Sequence, residues 1–133
     1  EPLLSQPHVE FIGEIAENEK AAFLGAAAGL LFSIAWRAAS GLAMIQAMAC
    51  GTPVIAMNCG SVPEIVDEGI TGYIVENEYE AVAACGALAK LDRARIRQRF
   101  EERFTARRMT ADYLNVYRTL IEQESPAQHL MRA

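Results

Sequence analysis

The sequence predicts an α/β domain, a mostly parallel sheet with helices on both faces. Three observations carry this expectation. Short apolar runs alternate with segments of helical period and are joined by brief turns, the pattern of a βαβ series. The run Val54-Ile55-Ala56-Met57 is apolar on both faces, as an interior parallel strand should be. It follows a Gly51-Thr52-Pro53 turn and a short helix whose small residues, Ala43, Ala47 and Ala49, let backbone approach backbone.

Residues 1–8 carry two prolines and read as an irregular lead-in. Val9 to Ile12 reads as a short strand ending at Gly13. Glu17 to Ala28 reads as a helix, with Asn18 as its cap, acids nearby to suit the helix dipole, and Ala21, Ala22, Leu24 and Ala28 on its buried face. Gly29 stops it, and Leu30 to Ile34 forms a continuous apolar strand. Residues 35–41 form a loop at the carboxyl end of that strand, Leu42 to Cys50 a short helix, and Val54 to Met57 the next strand. A Gly60-Ser61 turn leads to a helix near Val62 to Asp67, with Pro63 in the first turn where its missing N–H costs little. Gly69 ends it, and Gly72 opens the strand Tyr73-Ile74-Val75. Helices follow over Glu78 to Leu91, Asp92 to Phe104 and Ala106 to Gln123. Their apolar positions are Leu88 and Leu91, then Ile96, Phe100 and Phe104, then Met109, Tyr113, Val116, Tyr117 and Leu120. This reading gives about four strands, fewer than the five or six of a full doubly wound sheet, so one sheet edge is expected to stand open. Residues 1–124 read as one domain and 125–133 as a frayed tail.

Composition bounds the function. The 133 residues are about one domain in length, and 52% hydrophobic with 22% charged residues supports a packed core and excludes wholesale disorder. A formal charge of −5 argues against a nucleic-acid partner, which needs a basic face. Cys50, Cys59 and Cys85, spaced by nine and twenty-six, match no zinc or CxxC pattern and read as small buried or half-buried thiols. That points to a reducing, cytoplasmic setting. The first residues lack a signal-peptide pattern, and no apolar run approaches the roughly 18 residues of a membrane span. No Ser/His/Asp or Cys/His set is readable; no metal site and no cofactor are expected, and His8 and His129 read as solvated.

The stretch GLAMIQAMACGTPVIA, Gly41 to Ala56, followed by NCGSVPEIVDEGITGYIV, Asn58 to Val75, is the most specific part of the chain. It resembles the nucleotide-sugar half of family 4 glycosyltransferases, the two-domain GT-B kind, and the resemblance extends over roughly residues 9–122. It implies a Rossmann-like carboxy-terminal GT-B domain, truncated at its amino-terminal side. It also implies a nucleoside diphosphate sugar as donor, and retaining transfer without a metal. In that family a loop glutamate contacts the donor sugar. A second glutamate eight positions later bonds the nucleotide ribose, and loop amides hold the phosphates. The corresponding candidates here are Trp36, Ala38, Ser40, Gly41, Leu42 and Gln46. Trp36, Gly41 and Leu42 match the family pattern. Ala38 stands where the first glutamate belongs, Ala39 and Ser40 replace a Pro-Phe pair, and Gln46 replaces the second glutamate. Gln46 keeps the hydrogen-bonding capacity a ribose needs but supplies no charge. The family's phosphate-neutralising basic pair and its acceptor-binding domain have no counterpart in this sequence.

Several readings stay open on sequence alone. Gly41 is either the remnant of a phosphate site or a turn glycine. Trp36 lines a base or sugar pocket or caps the core edge. Glu64 contacts ligand or serves only the helix dipole. The arginines from Arg93 to Arg108 bind phosphate or a membrane surface, or pair with Asp92, Glu101 and Glu102 on a solvated helix, the simpler account. The closing helices resemble those that brace the family's amino-terminal domain; without it, Phe104, Tyr113 and Tyr117 are free for self-association. The expected function is the donor-binding half of a retaining glycosyltransferase, catalytically incompetent as an isolated chain. The alternative is a non-catalytic interaction or scaffold module on a degenerate form of the same fold.

Overall fold

The computed structural model describes residues 4–34 and 41–123. Three parallel strands, β1 (Leu30–Phe32), β2 (Val54–Met57) and β3 (Gly72–Val75), lie side by side in that order. Leu30 pairs with Val54, and Val54 with Gly72. The helices are α1 (Glu17–Ala26), α2 (Leu42–Ala49), α3 (Val62–Ile65), α4 (Glu78–Ala87), α5 (Arg93–Arg103) and α6 (Ala106–Gln123).

The central strand β2 alternates between two cores, because successive side chains of a strand point to opposite faces. Val54 and Ala56 enter the larger core with Phe32, Met44, Met48, Val62 and Ile96. Ile55 enters the smaller one with Val75 and Ala84. Helices α2, α3 and α5 cover the first face and α4 the second, so the apolar run of β2 is buried from both sides. Ile96 of α5 is fully enclosed, a burial worth roughly 1.5–3 kcal/mol. At Gly72, a Cβ would sit 2.0 Å from the Val54 carbonyl oxygen. Only glycine lets β3 lie this close to β2.

Side-chain caps start the later helices, Asn77 that of α4 and Asp92 that of α5. The Asn77 side chain accepts from the Glu80 amide at 3.0 Å, and the Glu80 carboxylate accepts from the Glu76 amide at 2.8 Å. Asp92 accepts from the Ala94 amide at 2.9 Å at the head of α5. Each satisfies an amide that has no partner inside the helix.

The structure corrects the sequence reading in several places. Val9 to Ile12 forms no strand, and the described residues hold three strands rather than about four. An apolar extended segment becomes a strand only beside a hydrogen-bonding partner strand, and among the described residues Val9, Phe11 and Ile12 have none and are exposed. Asn18 does not cap α1: the cap position is Ala16, whose carbonyl accepts from the Glu19 and Lys20 amides. Ala21, Ala22 and Ala28 are exposed, and of the expected face only Leu24 is half-buried. Among the described residues the sheet ends at β1, so α1 has little surface to lie against. The helix expected near Val62 to Asp67 stops at Ile65, where Val66 turns extended. The helix expected to run to Leu91 ends at Ala87 and tightens into a 3-10 turn over Leu88–Lys90. That turn sends Leu88 to the smaller core and Leu91 to the larger one. The apolar face of α6 forms at the expected spacing, yet no residue of α6 is buried. Phe104, expected to share that exposed face, instead packs against the larger core. The tail 125–133 lies outside the described residues.

Candidate functional site

In a parallel sheet the loops at the carboxyl ends of the strands share one rim, and ligands of open α/β sheets bind there. Among the described residues the rim holds 33–34 and 41 after β1, 58–61 after β2 and 76–77 after β3. Helices α1 and α2 both run away from it, so both begin beside it.

Gly41 sets the head of α2. Its φ is +67°, in the left-handed region. Its carbonyl accepts from the Met44 amide at 3.0 Å and the Ile45 amide at 3.2 Å, and no side chain caps the helix. A Cβ here would lie 2.3 Å from Ile65 Cδ1 and 3.1 Å from Ser61 Oγ. The loops after β1 and β2 therefore meet at this glycine. The first turn of α2 carries no acidic side chain. An anion arriving there meets the positive end of the helix dipole without a competing carboxylate, an interaction worth about 0.3–1 kcal/mol.

Gln46 lies one turn further on and faces the other way. It is half-buried and lines a groove between α1 and α2. The upper part, about 350 Å³, is bounded by Gly13, Glu14, Ile15, Lys20, Ala43 and Gln46 among others. The lower part, about 190 Å³, adds Glu17, Ala49 and Cys50. Lys20 in this groove is ion-paired with Glu17. Gln46 thus offers one carbonyl oxygen and two N–H donors to a cleft whose Lys20 already has a carboxylate partner.

Of the six site residues singled out from the sequence, Gly41, Leu42 and Gln46 are described. The head of α2 brings Gly41 and Leu42 together; Gly41 is buried against the β2 loop while Leu42 is 56% exposed. Gln46 belongs to the α1 groove. Trp36, Ala38 and Ser40 lie outside the described residues. Glu64 is exposed in the first turn of α3, and its backbone carbonyl accepts from Arg103. Cys50 and Cys59 are half-buried free thiols, but Cys85, expected to be sheltered, is exposed because its face of α4 points to solvent. Among the described residues, no group of three or more His, Cys, Asp or Glu side chains is placed to hold a metal. No helix among them is long and apolar enough to cross a membrane.

The arginines of α5 do more than pair along their own helix. Arg97 with Glu101 and Arg99 with Glu102 are the local pairs, each at 2.8 Å. Arg99 and Arg103 also reach Asp67, each at 2.7 Å. The Asp67 hydrogen bond, then that of Glu102, raises the Arg99 pKa above the ordinary arginine value. A raised value means that the folded chain favours the charged form, so on the alkaline side this contribution is lost as the pH rises through the arginine range. Arg103 stacks over Phe104 at 4.7 Å and Arg97 over Phe100 at 5.3 Å. Sequence reasoning missed these long-range ties and the contribution of Glu14, Ile15 and Lys20 to the groove. A Glu17–Lys20 spacing reads only as a helix-surface pair, and nothing local marks an arginine that reaches across the fold.

Fold and rim together define a parallel α/β domain with an acid-free helix head and, beside it, a largely apolar groove into which Gln46 brings a carboxamide. Residues 2–91 match the family described as glycosyl transferases group 1, and the chain belongs to that family. It is 26% identical over 134 aligned residues to N-acetyl-alpha-D-glucosaminyl L-malate synthase of Bacillus anthracis, covering 92% of this chain and 34% of that protein. It is 44% identical over 54 residues to alpha-maltose-1-phosphate synthase of Mycobacterium tuberculosis, covering 41% of this chain and 13% of that protein. It is also 34% identical over 86 residues to D-inositol 3-phosphate glycosyltransferase of Saccharomonospora viridis, covering 59% and 20%. The chain spans about a third or less of the length of these relatives.

Proposed function

We propose that this chain is the donor-binding half of a retaining glycosyltransferase and holds a nucleoside diphosphate sugar at the strand carboxyl ends. The observation that carries this reading is the juxtaposition, in a chain of the group 1 family, of the α2 head with the groove that Gln46 lines. The diphosphate lies at the head of α2, where first-turn amides and the helix dipole favour negative charge. The ribose hydroxyls bond to the Gln46 carboxamide in the groove. In the transfer, the bond from the sugar to the diphosphate breaks and the departing diphosphate keeps the electron pair. The acceptor hydroxyl oxygen forms the new bond on the same face of the sugar, and its proton passes to the departing diphosphate. The chain's contribution is to position the donor and stabilise the leaving group.

As an isolated chain it binds but does not transfer, because acceptor binding belongs to a second domain of the GT-B pair. The open face of α6, with Tyr113 and Tyr117, suits contact with that domain and, in its absence, self-association. The free thiols suit a cytoplasmic setting.

Calorimetric titration with UDP, GDP, ADP and their sugar conjugates tests this. Saturable binding of one nucleotide supports the reading and names the donor class. No binding by a cooperatively folded chain refutes it. That result favours the second reading, a non-catalytic interaction module, which the replacement of both family carboxylates by Ala38 and Gln46 supports.

A further inference from the structure

The two helices that form the Gln46 groove are both fastened at their far ends by α5. Arg93, the first residue of α5, donates from Nη1 to the Ala27 carbonyl at 2.8 Å and from Nη2 to the Gly25 carbonyl at 2.8 Å. The same Nη2 donates to Thr52 Oγ1 at 2.9 Å. Thr52 is fully buried and donates its own proton to the Leu24 carbonyl at 2.6 Å. The carbonyls at the end of α1, which no basic residue of its own last turn serves, are thus taken by Arg93 and Thr52. One turn along α5, Arg97 donates to the carbonyl of Ala49, the last residue of α2. Side chains four apart on a helix stand about 6 Å from one another. One helix edge therefore holds the ends of both groove walls at a set separation.

The clasp matters because packing does little to hold α1. None of its residues is buried, and Leu24 alone joins the larger core from this helix. Hydrogen bonds at its end must supply the orientation that a buried face supplies elsewhere. Arg93 does not line the groove itself; it acts through α1.

We propose that Arg93 is a positioning residue for nucleotide binding: by tying down the end of α1 it sets the width of the groove that Gln46 faces. This rests on reading the groove as part of the nucleotide site. The test therefore has one readout that needs no nucleotide. Cys50 is half-buried in the lower groove, whereas Cys85 is exposed on α4. Pulse labelling with iodoacetamide, read peptide by peptide by mass spectrometry, reports groove opening as the Cys50 rate relative to Cys85.

Arg93→Met keeps the aliphatic stem and loses every donor; Arg93→Lys keeps the charge with a single donor group. Well below the unfolding transition, Arg93→Met is expected to raise the relative Cys50 rate about tenfold, roughly what one lost charge-assisted hydrogen bond allows. It should weaken binding of the nucleotide found in the UDP, GDP and ADP titration by a similar factor, with Arg93→Lys between it and the parent. A folded variant with an unchanged Cys50 rate overturns the clasp. Should Arg93→Met fail to fold, Arg93→Lys is read alone, and a Cys50 rate and affinity equal to the parent overturn the proposal. A faster Cys50 rate with unchanged affinity overturns the positioning role. A faster Cys50 rate in a chain whose parent binds none of the nucleotides overturns the nucleotide reading, and the positioning role with it, while the clasp stands.

Discussion

Substituting Gly41 by alanine separates two physical costs that the structure places at one residue. The backbone sits at φ +67°, where an L side chain costs about 1–2 kcal/mol. The new Cβ would stand 2.3 Å from Ile65 Cδ1 and 3.0 Å from Met44 Cε, inside the larger core. Overpacking of that kind costs about 1–3 kcal/mol. The sum is about 2–5 kcal/mol, a large part of the roughly 5–15 kcal/mol that holds a domain together. Two other glycines isolate the parts. Gly69 has φ +71° with nothing within 4 Å of a Cβ, so Gly69→Ala carries the backbone cost alone, about 1–2 kcal/mol. Gly72 carries the steric cost without a left-handed φ, and its neighbour is the Val54 backbone, which cannot rotate away. Urea unfolding followed by far-ultraviolet circular dichroism measures all three by linear extrapolation. The expected order of loss is Gly72→Ala, then Gly41→Ala, then Gly69→Ala. Equal losses at Gly41 and Gly69 would refute the crowding at Ile65. Losses below about 0.5 kcal/mol at both, the range of ordinary surface changes, would refute the left-handed turns themselves.

Three further expectations follow from the same geometry. Ile96→Ala should cost about 2–5 kcal/mol in the same unfolding assay, whereas Leu120→Ala on the open face of α6 should stay within about 0.5 kcal/mol, since Leu120 is 52% exposed. Thr52→Val keeps the shape but removes one of the two donors to the Leu24 carbonyl, which keeps the Ala27 amide, and takes an acceptor from Arg93; thermal unfolding should show a loss of about 1–3 kcal/mol; an unchanged midpoint would remove Thr52 from the clasp. Gln46→Glu and Ala38→Glu each restore a charge-assisted hydrogen bond worth about 1.5–3 kcal/mol, so each should tighten nucleotide-sugar binding about tenfold or more by calorimetry. Unchanged affinity in both single variants would show that these positions do not face the donor.

Much of the fold was legible because it rests on local rules. The start of α2 at Leu42, all of β2, the first-turn Pro63 and the start of α6 at Ala106 follow from apolar spacing and turn chemistry within a few residues. The candidate site was legible only in part. The motif around Gly41 marks the head of α2, but it does not say that Gln46 turns toward α1 and joins Glu14, Ile15 and Lys20. Val9 to Ile12 has the composition of a strand and, among the described residues, no partner strand to make it one. Alanines of α1 sit at core spacing with no core beside them.

What the sequence by itself determined is the α/β class, the family and the places where helix gives way to strand. These depend on backbone propensity and on hydrophobic period, which are properties of neighbours along the chain. The tertiary structure alone decided which apolar faces find a partner and where the α5 arginines reach. Arg93 meets Gly25 and Ala27 from sixty-eight and sixty-six positions away, and Arg99 and Arg103 converge on Asp67. Such partners are selected by chain closure and the competition for buried carbonyls and carboxylates, and no local pattern encodes them.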